Sequence, residues 1–193
     1  MEIGGFQKLS VNNFPGKVAA VVFTQGCNFH CYYCHNKKLI SQKHGSVPEQ
    51  EVLNYLEENN IFLEGVVITG GEPTIQKGLE TFITLIKDMG LEVKLDTNGF
   101  LPEKVKSLLD QNLLDYVALD IKAKPEEYDK LTGQKNSWVK IEKTLKYLRE
   151  SDISYELRTT SKLKPDWIKK IVLPEEKWFW QPEQNGCNKG GIF

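Results

Sequence analysis

The chain has 193 residues, 40% hydrophobic and 26% charged, with 25 basic and 26 acidic side chains and a net charge of −1. That length carries one domain with a substantial core and is short for two, and near-neutrality excludes a global field that would recruit nucleic acid or an anionic membrane. No apolar run approaches the ~20 residues that span a bilayer, and Met1-Glu2-Ile3-Gly4-Gly5-Phe6 lacks the basic and apolar regions of a signal peptide, so the expected location is the cytoplasm, where thiols stay reduced.

Residues 18–24 predict a buried strand, and 48–58 a helix. A short apolar strand over 66–69 stops at Gly70-Gly71. Ile75, Leu79, Phe82, Ile83, Ile86 and Met89 then recur at helical spacing, with Gly90 as the stop. Residues 92–97 form a third predicted strand, followed by a helix over 102–113 with Pro102 in its first turn. A strand over 116–121 precedes a helix whose inner face carries Trp138, Ile141, Leu145 and Leu148. A fifth strand (154–160), a short helix (165–171) and a sixth strand (177–181) complete the pattern. Strands alternating with helices imply a parallel sheet with right-handed crossovers. The expected architecture is α/β: an open, partial (βα)6 barrel in a single domain over 1–182, with a flexible Gly-rich tail over 183–193. Cys187, in that tail, reads as an incidental thiol.

The loop after the first predicted strand holds Cys27, Cys31 and Cys34 at C-x3-C-x2-C, three of the four cysteines in the chain. Three thiolates on one loop can hold three irons of a cubane cluster and leave the fourth open, whereas an electron-transfer site is closed by four thiolates. The same thiols with His30, His35 or His44 could close a zinc site. A disulfide reading is poorer, because the count on the loop is odd and nothing marks the chain as secreted.

Three further polar clusters end predicted strands, where the functional loops of α/β barrels emerge. Gly70-Gly71-Glu72-Pro73 offers permissive backbone and then one carboxylate able to accept from an ammonium, or else a plain strand-to-helix turn. In Asp96-Thr97-Asn98-Gly99, the aspartate and hydroxyl could bind a hard cation or a ribose, or Asp and Asn could cap the next helix. Asp120 and Lys122 fall on one side of a strand with Ile121 opposite, either as a rim ion pair or with the lysine free for a ligand carboxylate. Arg158 on a predicted buried strand needs an anionic partner, either a ligand or an Asp/Glu.

Taken together, the C-x3-C-x2-C loop, the Gly-Gly-Glu-Pro turn and the partial barrel resemble the radical S-adenosylmethionine enzymes over nearly the whole chain. Cys34-His35-Asn36, the run from Leu95 to Phe100 and Asp120-Ile121-Lys122 resemble the glycyl-radical-enzyme activating branch. Phe14-Pro15-Gly16-Lys17 and Thr24-Gln25-Gly26-Cys27 are similar to the activating proteins of anaerobic ribonucleoside-triphosphate reductases. The resemblance implies a [4Fe–4S] cluster on Cys27, Cys31 and Cys34, with S-adenosylmethionine on the open iron. It places Tyr33 beside the adenine, Gly70, Gly71 and Glu72 at the methionyl ammonium, and Lys122 at the carboxylate. Asp96, Thr97 and Asp120 match positions that help hold a monovalent cation, and Asn98 and Arg158 lie near the ligand. The implied partners are a glycyl radical enzyme, with anaerobic ribonucleoside-triphosphate reductase foremost, and reduced flavodoxin or ferredoxin as electron donor. Residues 36–47 contain no cysteine, so a single cluster is expected. Relatives often place a histidine on the last strand, where this chain offers Gln181. Competing readings are a small 7-carboxy-7-deazaguanine synthase, an iron–sulfur electron carrier and a zinc-stabilised binding module.

Overall fold

The computed structural model describes residues 1–34, 37–41 and 44–183. Its frame is a sheet of seven strands whose spatial order follows the chain: β1 (Ile3–Ser10), β2 (Ala19–Thr24), β3 (Gly65–Gly70), β4 (Glu92–Thr97), β5 (Tyr116–Asp120), β6 (Ser154–Ser161) and β7 (Trp178–Pro182). From β2 to β7 every pair is parallel, and β1 joins antiparallel to β2. Among the described residues β7 and β1 do not pair and the sheet stays open, as the expected partial barrel requires.

Both faces of the sheet are covered, which is why its strands read as apolar runs rather than alternations. On the helix side, Ala20, Val22, Val66, Ile68, Val93, Leu95, Val117, Leu119 and Leu157 are buried beneath the helices. The helices are α1 (Lys37–Ser41), α2 (Glu49–Asn59), α3 (Leu79–Asp88), α4 (Pro102–Asp110), α5 (Tyr128–Thr132) and α6 (Ser137–Arg149). In α3, Leu79, Phe82, Ile83 and Ile86 form one stripe at helical spacing against the sheet. Burying a side chain of that kind stabilises the fold by roughly 1.5–3 kcal/mol.

On the inner face, Ala19, Val21 and Val67 form a small apolar floor with Phe14 and Tyr116, whose ring centroids lie 6.1 Å apart. Beside it Lys94, only 3% exposed, donates to the Asn13 carbonyl at 2.7 Å and to Glu156 at 3.2 Å. Tyr116 donates to the same Glu156 at 3.1 Å. The bottom of the barrel is therefore filled by side chains, and the open space lies at the C-terminal ends of the strands.

The expected strands are all present, but other features depart from the sequence reading, beginning with α1, where no element was expected. β1 is an additional edge strand: Gly4 and Gly5 weaken its strand signal, and pairing with β2 supplies what propensity lacks. The helical spacing from Ile75 to Met89 divides into a 3-10 turn, Pro73–Ile75, and α3, with Gly78 between them in the left-handed conformation. Between β5 and α6 the chain forms a 3-10 turn, Pro125–Glu127, and α5, where no element was expected. The expected helices over 102–113 and 165–171 are shorter, α4 and a 3-10 turn (Asp166–Lys170). Cys187 and all but the first residue of the tail lie outside the described residues, as do His35 and Asn36.

Candidate active site

Gly70 and Gly71 let the turn after β3 press against the backbone leading into the cysteine loop. Gly71 N donates to Thr24 O and Glu72 N to Gly26 O, both at 2.9 Å. A Cβ on Gly71 would lie 1.8 Å from Gly26 O, so only glycine permits this approach. The Gly-Gly pair thus fixes where the cysteine loop begins.

Glu72 follows as the cap of the 3-10 turn and is 1% exposed. Its Oε1 accepts from Thr74 N at 3.1 Å, Thr74 Oγ1 at 2.6 Å and Thr97 Oγ1 at 2.7 Å, while Oε2 accepts from Asn98 N at 2.7 Å. Burial raises its pKa above the ordinary range despite these four bonds, which pull the other way. The carboxylate therefore ties the loop after β3 to the loop after β4, with Oε1 accepting three of the bonds and Oε2 one.

Asn98 continues this chain of contacts. Its Nδ2 donates to Asn28 Oδ1 at 2.8 Å and lies 3.9 Å from Cys27 Sγ. Asn28 is held in turn through its backbone carbonyl, which accepts from Gln134 Nε2 at 2.9 Å, and His30 N donates to Thr132 O at 3.2 Å. The unforeseen α5 segment therefore clasps the cysteine loop from the far side.

Across the inner face, Arg158 donates to Asp96 Oδ2 at 2.9 Å and to Asp120 Oδ1 at 3.1 Å. Lys122 Nζ donates to Asp120 Oδ2 at 2.8 Å. Burial opposes the Lys122 charge, but Asp120, Tyr33 and Cys31 outweigh it and raise its pKa. Burial likewise opposes Asp120, whose pKa is nonetheless lowered by Lys122 and Arg158. The fully buried Tyr128 fixes this corner, its hydroxyl accepting from Lys122 N at 2.7 Å. Tyr33 reaches the same segment, its hydroxyl donating to Lys122 O at 3.3 Å. The rim-pair reading of Asp120 and Lys122 and the Asp/Glu reading of Arg158 thus both describe the structure.

One cavity gathers these groups. Its walls include Cys27, Cys31, Tyr33, Cys34, Gly70, Gly71, Glu72, Asp96, Thr97, Asn98, Asp120, Lys122 and Arg158, so the residues that the resemblance assigned to cluster and ligand meet there. Gln181 of β7 also lines it, bonded to Thr160 at 3.2 Å, together with Phe29, Ile40 and Thr69. The sequence reading missed Asn28, an intervening position of the C-x3-C spacing, and Tyr128 and Gln134, which belong to no local pattern. His30 and His44 are exposed. Among the described residues no three His, Cys, Asp or Glu side chains gather to hold a single metal ion.

The donor set fits a larger group bound between thiols and acids. Three half-buried free cysteines face the same cavity as an ion-paired lysine. Asp96 Oδ1 is buried without a hydrogen-bond partner among the described residues, with Lys94 Nζ 3.6 Å away. Burial and the Glu72 carboxylate push the Cys27 thiol up to about 12, and burial raises Cys31 as well. Loading of a metal group must therefore expel protons from these thiols.

Residues 21–161 match the family model described as the Radical SAM superfamily. A protein of Methanocaldococcus jannaschii, provisionally named a glycyl-radical enzyme activating enzyme, is 35% identical over 82% of this chain and 67% of its own length. The pyruvate formate-lyase-activating enzyme of Streptococcus mutans is 30% identical over 83% of this chain and 60% of its own length. The chain thus spans about two thirds of these relatives or less. Among solved structures, Streptococcus suis SuiB bound to S-adenosylmethionine is similar at a TM-score of 0.61 and 17% identity, covering 76% of this chain and 35% of that one. QueE from Escherichia coli is similar at 0.54 and 15% identity, covering 94% of this chain and 93% of that one. At these identities the structural likenesses speak for the fold alone, while the family match spans strands, cysteine loop and acid–base wall together: the chain belongs to the radical SAM superfamily, among relatives named as activators of glycyl radical enzymes.

Proposed function

We propose that residues 1–182 form a single radical SAM domain that activates a glycyl radical enzyme. The observation that carries this reading is the meeting of three thiols with the Lys122–Asp120–Arg158–Asp96 network in one cavity. Cys27, Cys31 and Cys34 would hold three irons of a [4Fe–4S] cluster. Such a cluster with S-adenosylmethionine would supply one-electron reductive cleavage of the sulfonium to methionine and a 5′-deoxyadenosyl radical able to take hydrogen from a glycine α-carbon of a partner.

The chain's own residues orient and enclose. Lys122, held by Asp120 and Tyr128, offers an ammonium to the methionyl carboxylate. The carbonyls of Gly70 and Gly71 and the Glu72 carboxylate offer acceptors to the methionyl ammonium. Tyr33 provides a ring for the adenine, and Asp96, Thr97, Asn98 and Arg158 form the wall behind it. Asp96 Oδ1, without a hydrogen-bond partner among the described residues and with Asp120 nearby through Arg158, supports a monovalent cation beside the carboxylate. Gln181 takes the place of a last-strand histidine.

The partner we favour is anaerobic ribonucleoside-triphosphate reductase, on the strength of the Phe14-Pro15-Gly16-Lys17 and Thr24-Gln25-Gly26-Cys27 segments. Reduced flavodoxin or ferredoxin would supply the electron, and the cytoplasm is the setting that keeps the thiols reduced. No helix among the described residues is long and apolar enough to cross a membrane. The test is electron paramagnetic resonance on the anaerobically reconstituted, reduced protein with S-adenosylmethionine and the reductase. A glycyl doublet that needs every component establishes both activity and partner. A cluster signal perturbed by S-adenosylmethionine, without a doublet, keeps the radical chemistry and replaces the partner. Turnover of a small pterin to a deazaguanine product would replace the activase by the synthase. Cleavage of S-adenosylmethionine that survives Cys31→Ala would overturn the site.

A further inference from the structure

The contacts of Asn98 assign it a place beyond lining the ligand cavity. It is 4% exposed, and each polar atom of the residue that approaches the loops has a set partner. The backbone N–H is bound by Glu72 Oε2 at 2.7 Å, and Oδ1 accepts from Phe100 N at 3.0 Å. An N–H can only donate, so that second bond fixes which end of the amide is the carbonyl and directs Nδ2 toward the cysteine loop. One Nδ2 hydrogen goes to Asn28 Oδ1 at 2.8 Å; Cys27 Sγ, at 3.9 Å, is within reach of the other. The Cys27 sulfur also receives Phe29 N at 3.4 Å and has Asn28 Oδ1 at 3.9 Å as a competing acceptor.

A thiolate holding iron accepts hydrogen bonds and donates none. Donors at the sulfurs favour the reduced, more negative cluster, and hydrogen bonding is one of the levers on its potential. We infer that the Asn98 amide is a donor to the Cys27 sulfur that raises the reduction potential of the bound cluster, opposed by the Asn28 carbonyl on the same sulfur. Its rigidity comes from Glu72, so the Gly-Gly-Glu-Pro turn acts on the cluster through Asn98 as well as on the ligand. The inference rests on the cluster reading above.

The experiment is a potentiometric titration, followed by electron paramagnetic resonance without S-adenosylmethionine, of wild type, Asn98→Ala and Asn28→Ala. Iron and sulfide are counted first. Losing one hydrogen bond to the sulfur shifts the one-electron equilibrium roughly three- to tenfold, so Asn98→Ala should lie about 30–60 mV below wild type. Asn28→Ala removes the competing carbonyl and should lie above it, a change of opposite sign that general loosening of the loop would not give. If Asn98→Ala does not retain the cluster, Asn98→Ser offers a shorter hydroxyl acceptor to Phe100 N–H without adding a charge, withdraws the amide donor from Cys27 Sγ and should show the downward shift. Four irons in wild type with unmoved potentials, or with both variants moving the same way, overturn the role of Asn98 and leave the activase reading intact. A wild type that holds zinc in place of iron overturns the cluster reading itself.

Discussion

Arg158 and Asp96 stand 62 residues apart in sequence and meet at 2.9 Å on the inner face of the sheet. The same guanidinium reaches Asp120 at 3.1 Å, so one side chain on β6 bridges acids from β4 and β5. Without it, the two carboxylates would share a poorly hydrated wall with only Lys94, 3.6 Å from Asp96, and Lys122, 2.8 Å from Asp120, left as cations. Arg158→Ala should therefore destabilise the protein by about 3–5 kcal/mol, toward the lower figure because Asp120 keeps some solvent. Arg158→Lys should recover only part, since an ammonium lacks the planar fork that spans both acids. Denaturant unfolding of the apo protein measures both.

Gly71→Ala should act through the cysteine loop. Its Cβ would collide with Gly26 O, a backbone atom that cannot swing aside. The expected cost is about 3 kcal/mol or more, with iron loading lost. Gly78→Ala is the comparison: its φ is 81° but nothing lies within 4 Å of the added Cβ, so about 1–2 kcal/mol of backbone strain is expected with loading intact. Equal loading by the two variants would refute this role of Gly71.

Glu72 gives a pH signature. Its folded carboxyl holds its proton above the ordinary value of 4.5, chiefly because it is buried. The unfolded chain therefore loses that proton first, and this group's contribution to stability falls as pH rises from about 4.5 through the folded pKa. Glu72→Gln should lack that component in the difference curve against wild type. At neutral pH the variant should still be weaker by about 1–3 kcal/mol, since its Nε2 would face donors that need an acceptor.

Tyr128→Phe removes the hydroxyl that accepts from Lys122 N and donates to Asp120 O at 3.4 Å. The buried amide left behind should cost about 1–3 kcal/mol. Equilibrium binding of S-adenosylmethionine to the reconstituted variant should weaken while the iron count stays at the wild-type value. Unchanged binding would remove Tyr128 from the positioning of Lys122.

The sequence alone determined the alternation of strands and helices, the open parallel barrel and the convergence of four polar clusters on one mouth. Each is a short-range property: buried parallel strands are continuous apolar runs such as Ala19–Thr24, and functional loops follow their C-terminal ends. The spacing of Cys27, Cys31 and Cys34 is likewise readable within eight residues. β1 was invisible because its two glycines mask the pattern and its strand state depends on β2.

The tertiary structure decided what these groups touch. Parallel register sets Asp120 beside Arg158, choosing acids as the arginine's partners where the sequence left ligand and protein equally open. It also drew Glu72 into a buried set of four hydrogen bonds and placed Asn98 against Asn28, 70 residues away. Such pairings depend on the register and depth at which strands stack, and a polar side chain's local sequence carries no record of either.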